Sequence, residues 1–233
     1  MAGTLKQRLE AWQRRLTERI GGDIATPEAR RAARLHYQWV DHGFLRVLWR
    51  NFHVIAPGVY RSNQPSGSQF GAIHARVGLR TVLNLRGQSK HSFYLFETEA
   101  CRDLGLTLVD LPLSASQAPS VALLEQLVTL LETMEKPFLI HCKSGADRTG
   151  LAAALYLLLV EKQPIEVAKR QLSFRYIHVA NSPAGIQDHF LRVYERAFRH
   201  SGIGFLDWMR TVYDPVEVTA SFARWRAGDR SLT

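Results

Sequence analysis

Cysteine is nearly absent from this chain: its 233 residues hold only Cys101 and Cys142. Two thiols make no disulfide framework, so the fold must rest on its core, and a reducing compartment is expected, with the cytoplasm as the default location. Long hydrophobic runs are missing as well. The run Leu151 to Val160 is too short to span a bilayer. The opening Met-Ala-Gly-Thr-Leu-Lys has no apolar core of a secretory signal. Negative charge is in deficit, with 21 Asp and Glu against 30 Lys and Arg and a formal net charge of +9. No nucleic-acid-binding motif accompanies that positive charge, and the basic residues are scattered, so no nucleic acid is expected as a partner. An acidic substrate accounts for the same charge with fewer assumptions. Internal repeats and low-complexity tracts are also lacking. What remains is ordinary: 46% hydrophobic and 22% charged residues, enough to bury a real core as one enlarged domain.

Against that background one stretch stands out: His141-Cys142-Lys143-Ser144-Gly145-Ala146-Asp147-Arg148-Thr149-Gly150. A cysteine and an arginine five residues apart follow an apolar run, Phe138 to Ile140, that reads as a short buried strand. They precede another, Leu151 to Val160, that reads as a buried helix. A loop of that length can turn its backbone N–H groups toward one point, and a helix opening at Thr149 aims its positive end there too. A phosphate at that point would meet the Cys142 sulfur on one face and the planar fork of Arg148 on its equatorial oxygens. Cys142 is the candidate nucleophile, its thiolate favoured by the amides, the helix end and Arg148. Arg148 binds phosphoryl oxygens, and Lys143, Ser144, Gly145, Ala146 and Asp147 complete the phosphate cradle. Gly145 supplies backbone freedom, and Thr149 offers its hydroxyl to the thiolate and caps the helix. His141 is expected to order the loop from behind, and Lys143 to add charge at the rim.

The segment resembles the signature loop of the cysteine-based protein tyrosine phosphatase superfamily, nearest in character to its dual-specificity and lipid-phosphatase branches. Gly58-Val59-Tyr60-Arg61-Ser62-Asn63-Gln64-Pro65 and Val82-Leu83-Asn84-Leu85-Arg86-Gly87 are similar to the opening segments of bacterial members. The resemblance implies a phosphocysteine intermediate, hydrolysis without metal or cofactor, and a central, mostly parallel sheet flanked by helices.

Such hydrolysis needs a general acid. Asp110 lies 142 − 110 = 32 residues before the cysteine, a spacing similar to that in dual-specificity phosphatases. It falls within Leu106 to Leu113, which reads as a strand, and the loop Ser114 to Pro119 after it holds no carboxylate. Asp147, directly before Arg148, resembles the aspartate found in the loops of some phosphoinositide phosphatases, which puts it ahead of Asp110.

Strand signals at Val59-Tyr60, Thr81 to Leu85, Leu106 to Leu111 and Phe138 to Ile140 alternate with helix signals at Gln69 to Val77, Phe93 to Leu104, Val121 to Met134, Thr149 to Val160 and Pro164 to Leu172. That alternation predicts an α/β fold with a mainly parallel sheet and additional helices at both ends. The expected division is a basic helical extension over 1–53, a catalytic domain over 54–200 and a helical extension over 201–233. Cys101 is expected in the core, with a resolving thiol as the alternative. The first fifty residues carry ten basic side chains against five acidic ones, and Leu5, Leu9, Trp12, Leu16 and Ile20 recur at helical spacing. Packing on the catalytic domain and peripheral contact of residues 1–20 with an anionic membrane are both open readings. The expected function is phosphomonoester hydrolysis of a phospholipid or phosphoprotein, with a lean toward highly anionic substrates. A phosphate-binding protein without turnover is the alternative, and sulfur transfer a third reading.

Overall fold

The computed structural model describes residues 22–41 and 43–229. The amphipathic segment expected over residues 1–20 lies outside them. The described residues group into two units that interleave along the chain: residues 22–50, 65–80 and 88–108 in one, 51–64, 81–87 and 109–229 in the other.

The first unit is helical. Helix α1 (Pro27–Leu35) starts where Thr26 accepts the Ala29 amide and Pro27 sets the first turn. A π-helical turn (His36–Val40) and α2 (Gly43–Leu48) follow. Helix α3 (Gly67–Val77) opens with a reciprocal pair, Ser66 and Gln69 each binding the other's backbone amide, and closes at Gly78 with φ 65°. Helix α4 (Ser92–Asp103) carries Cys101 on its buried side. Arg30 joins α1 to Glu99 of α4 at 2.9 Å.

The second unit holds most of the sheet. Its strands are β1 (His53–Ala56), β2 (Val59–Asn63), β3 (Thr81–Asn84) and β5 (Phe138–Cys142), and β4 (Thr107–Asp110) completes the order β1-β2-β5-β3-β4. Strand β5 is central and parallel to both neighbours, with Val59 to Asn63 in register with Phe138 to Cys142 on one side and Thr81 to Asn84 with Phe138 to His141 on the other. All five residues of β5 are buried, and Phe138 to Ile140 runs apolar with no alternation before the enclosed His141. Strand β1 pairs antiparallel to β2 and was not foreseen, because the four-residue His-Val-Ile-Ala run gives almost no periodic signal.

Helices α5 (Val121–Thr133) and α6 (Asp147–Leu159) contribute Leu124, Leu127, Leu131, Leu151 and Leu155 to the core with Phe138 and Ile140. The helix expected over Pro164 to Leu172 divides into α7 (Ile165–Ala168) and a tighter turn, Lys169–Gln171. Beyond it lie α8 (Ile186–Ser201), α9 (Phe205–Thr211) and α10 (Pro215–Arg226). Phe190 of α8 meets Phe205, Trp208 and Tyr213 edge-on at 5.1 to 6.1 Å between ring centres, which anchors α9 on the same core. The fold is α/β, a mostly parallel sheet flanked by helices. No helix among the described residues is long and apolar enough to cross a membrane.

Candidate active site

The carboxyl end of β5 delivers Cys142, buried and unbridged, to the start of a four-residue turn. The chain then enters α6 at Asp147, two residues earlier than the sequence predicts. The Gly150 amide donates to the carbonyl of Ala146 at 2.9 Å and so closes the first helical turn before Thr149. Thr149 therefore does not cap the helix. It lies inside it, fully buried, and its hydroxyl has no hydrogen-bond partner among the described residues. No side chain caps α6 at all, and its first turn carries Asp147. The positive end of the helix is open to an anion.

Gly145 sits at φ 72°, and a Cβ there would come within 2.5 Å of the backbone of Ser62 and Asn63. Backbone angle and clearance both demand glycine. The loop thus presses directly on β2, where the Gln64 amide also reaches the Lys143 carbonyl at 3.5 Å. Ser144 is exposed, and its hydroxyl accepts from the Ala146 amide at 3.3 Å. Lys143 is half-buried, Ala146 buried, and His141 wholly enclosed one residue before the cysteine.

Behind the loop lies a group that sequence reasoning mentioned only as part of a resemblance. Arg61 is completely buried in the middle of β2. Its guanidinium donates to the carbonyls of Gly145 at 2.7 Å and Ala146 at 3.3 Å, and to both the backbone and side-chain oxygens of Gln171 at 2.8 and 2.6 Å. The ring of Tyr176 covers it, 3.7 Å from ring centre to guanidinium carbon. Burial pushes its pKa down to about 10, against the pull of Tyr176, Cys142 and Asp147, so it stays charged at neutral pH. Asn51 works beside it: its side-chain amide donates to the carbonyls of Ser144 and Tyr176, each at 3.1 Å. An arginine within a buried strand was the one signal available in the sequence, since such a charge persists only with partners.

Arg148 extends from the first turn of α6, and its Nη1 donates to the carbonyls of Leu85 at 3.3 Å and Leu113 at 3.4 Å. The two candidate acids occupy different settings. Asp110 is the last residue of β4, which stops short of the expected Leu113, and it accepts from the Asn84 amide at 2.8 Å. Asp147 is partly exposed, with Oδ1 2.8 Å from Nδ1 of His178, a residue sequence reasoning passed over. Among the described residues no cluster of three or more His, Cys, Asp or Glu is arranged to hold a metal ion.

A sheet-end cysteine, a tight turn and an arginine in the first turn of the following helix can bind and attack a phosphoryl group. A family model described as "DSP-PTPase phosphatase fused to NAD+ Kinase" matches residues 58–190, more than half of the chain. The chain belongs to this dual-specificity phosphatase family. It is 30% identical over 112 residues to the dual specificity protein phosphatase TpbA of Pseudomonas aeruginosa strain UCBPP-PA14, covering 48% of each chain. It is 29% identical over 105 residues to the inositol diphosphatase SIW14 of Saccharomyces cerevisiae, covering 43% of this chain and 36% of that one. The chain thus spans about half or less of the length of these curated relatives. The crystal structure of the SIW14 core catalytic domain in complex with citrate superposes with a TM-score of 0.53 at 19% identity, over 66% of this chain and 94% of that one. That likeness concerns the fold alone.

Proposed function

We propose that this protein hydrolyses phosphomonoesters through a phosphocysteine intermediate on Cys142, without metal or cofactor, and that it prefers highly anionic substrates. One observation carries the reading: the turn from Cys142 to Arg148 joins the central strand to an uncapped helix N-terminus, with the buried Arg61 bound to its outer carbonyls. Because those carbonyls are engaged by Arg61, the turn is held so that the amides not bound within it, unlike that of Ala146, can face an anion.

In the first step the Cys142 thiolate attacks phosphorus, and the ester P–O bond breaks as the new S–P bond forms. Arg148 holds the equatorial oxygens, leaving its carbonyl contacts to do so. Asp147 gives its proton to the departing oxygen, then takes one from the water that attacks the phosphocysteine and releases inorganic phosphate. Asp147 is favoured over Asp110 because it stands in the first turn of α6, directly before Arg148, whereas Asp110 lies at the end of β4, bound to Asn84.

The substrate preference rests on the basic composition, on Lys143 beside the cysteine and on the names of two relatives, SIW14 and the rice protein DSP2, both inositol diphosphatases. The deciding experiment measures phosphate release by wild type and Cys142→Ser from a soluble inositol phosphate, a phosphoinositide in vesicles and a phosphotyrosine peptide. Preferential, Cys142-dependent turnover of either inositol substrate is expected. Preferential peptide turnover removes the anionic preference, and phosphate binding with no turnover of any substrate moves the protein to the binding reading.

A further inference from the structure

We infer that His178 is the positioning residue for Asp147: its Nδ1–H holds Oδ1 of that carboxyl, leaving Oδ2 to carry the proton delivered to the leaving group. The inference rests on the acid assignment made above.

The imidazole is enclosed, its side chain 1% exposed, and Nδ1 lies 2.8 Å from Asp147 Oδ1. Its other nitrogen, Nε2, is buried and has no hydrogen-bond partner among the described residues. A buried imidazole with one partner gives up hydration at Nε2 and gets a single contact in return, with the candidate acid. A proton on Nε2 would be a buried donor without an acceptor, whereas a proton on Nδ1 has the carboxyl oxygen in line. The Nδ1–H tautomer is therefore the one this environment selects.

The ring is also aimed at a cost. Ile177, just before it, has φ 62° and ψ 23°, a left-handed conformation that a β-branched residue rarely adopts. That one residue lets Tyr176 and His178 both turn inward, while Ile177 itself is 45% exposed. Tyr176 is fixed independently, its ring on Arg61 and its carbonyl accepting from Asn51. The segment 174–178 thus supports the loop through the contacts of Tyr176 with Arg61 and Asn51 and meets the acid through His178.

The chemistry follows from charge. While Asp147 is protonated on Oδ2, Oδ1 accepts an ordinary hydrogen bond from Nδ1–H. As the proton leaves for the ester oxygen, the carboxylate becomes anionic and the same bond becomes charge-assisted and stronger. One proton moves, from Asp147 to the leaving oxygen, and His178 gives up none. The contact favours the transition state over the ground state, which is what acceleration requires.

The test compares p-nitrophenyl phosphate, whose leaving group scarcely needs an acid, with an alkyl phosphate of similar charge. His178→Phe is expected to lower kcat for the alkyl ester on the order of 10²-fold and for the aryl ester less than about threefold, with KM little changed. His178→Asn, whose amide can replace the Nδ1 donor, is expected to restore alkyl turnover, and His178→Gln, whose amide sits nearer the Nε2 position, is not. The Asn and Gln pair carries the test if His178→Phe fails to fold. Equal losses on both esters, or equal behaviour of Asn and Gln, overturn the inference. If Asp147→Asn discriminates between the esters and no His178 variant does, only the inference falls. If Asp147→Asn does not discriminate, the acid assignment falls with it.

Discussion

The buried guanidinium of Arg61 donates to the carbonyl of Gly145 at 2.7 Å, tying the middle of β2 to the turn that follows Cys142. One side chain thereby meets three buried carbonyls and the Gln171 amide oxygen. Replacing it with methionine leaves those acceptors unpaired, each at a cost of about 1–3 kcal/mol. Arg61→Met is therefore expected to lower the urea midpoint sharply and to weaken phosphate binding. Arg61→Lys keeps the charge but lacks the planar fork, so it should fall between the two. A wild-type midpoint in Arg61→Met would remove this residue as the support of the turn.

Gly145→Ala asks for a Cβ where Ser62 and Asn63 backbone atoms stand 2.5 Å away, at φ 72°. Neither constraint has a flexible neighbour to absorb it. Loss of more than about 2 kcal/mol of stability is expected from strain and displacement together, along with loss of turnover. Phosphate binding at wild-type strength by a folded Gly145→Ala protein would show that the loop does not need this approach.

Cys142→Ser is expected to abolish turnover while retaining phosphate binding, because the amide cradle and Arg148 remain. Arg148→Lys replaces two directed donors with one point charge, and kcat should fall about 10²–10³-fold. Rapid-quench detection of a phosphoenzyme in wild type, absent from Cys142→Ser, checks the first claim. An unchanged kcat in Arg148→Lys would refute the second.

Three histidines make stability depend on pH. Burial holds His36, His53 and His189 below the ordinary imidazole value, helped by His91, Arg61 and Arg192 respectively. Each folded pKa is lower than the unfolded one, so the unfolded chain takes up protons first as pH falls. Their contribution is complete above pH ~6.5 and is lost as pH drops below it. His189 Nε2 donates to the hydroxyl of Ser221 at 2.8 Å, since that hydroxyl already gives its proton to Val218. Charging the ring would add a buried Nδ1–H without a partner among the described residues. Thermal midpoints should fall from pH 7.5 to 5.5, and His189→Gln should flatten the slope. A slope unchanged in that variant would place the effect elsewhere.

The sequence displayed the centre of the site more clearly than its surroundings. The apolar run Phe138 to Ile140, the Cys142–Arg148 spacing and the apolar helix after it are contiguous, so local pattern alone orders strand, turn and helix. The helix start was misjudged by two residues because Asp147 and Arg148 look like loop residues until the Gly150 amide is seen to bond back to Ala146. Asn51, Gln171, Tyr176 and His178 were missed for a different reason. Each acts across a sequence separation of at least 31 residues, and nothing in a polar or aromatic side chain announces its partner. Ile177 illustrates the limit: its unusual backbone conformation is imposed by the inward turns of its neighbours, not by its own preference.

The strand that carries Cys142 is the last of the sheet to be synthesised, yet it occupies the middle. Strands β2 and β3 bond to β5 and not to each other, so a chain extended only as far as Met134 has one hydrogen-bonding edge of each still open. Those edges wait for Phe138, and long-range parallel pairing of this kind is slow to form and prone to mispairing while it waits. The final strand closes the gap and in the same motion brings the thiol out of solvent into its turn. Completion of the sheet and assembly of the reactive centre are thus one event, and a nascent or partly unfolded chain exposes an unprotected cysteine alongside its sticky edges.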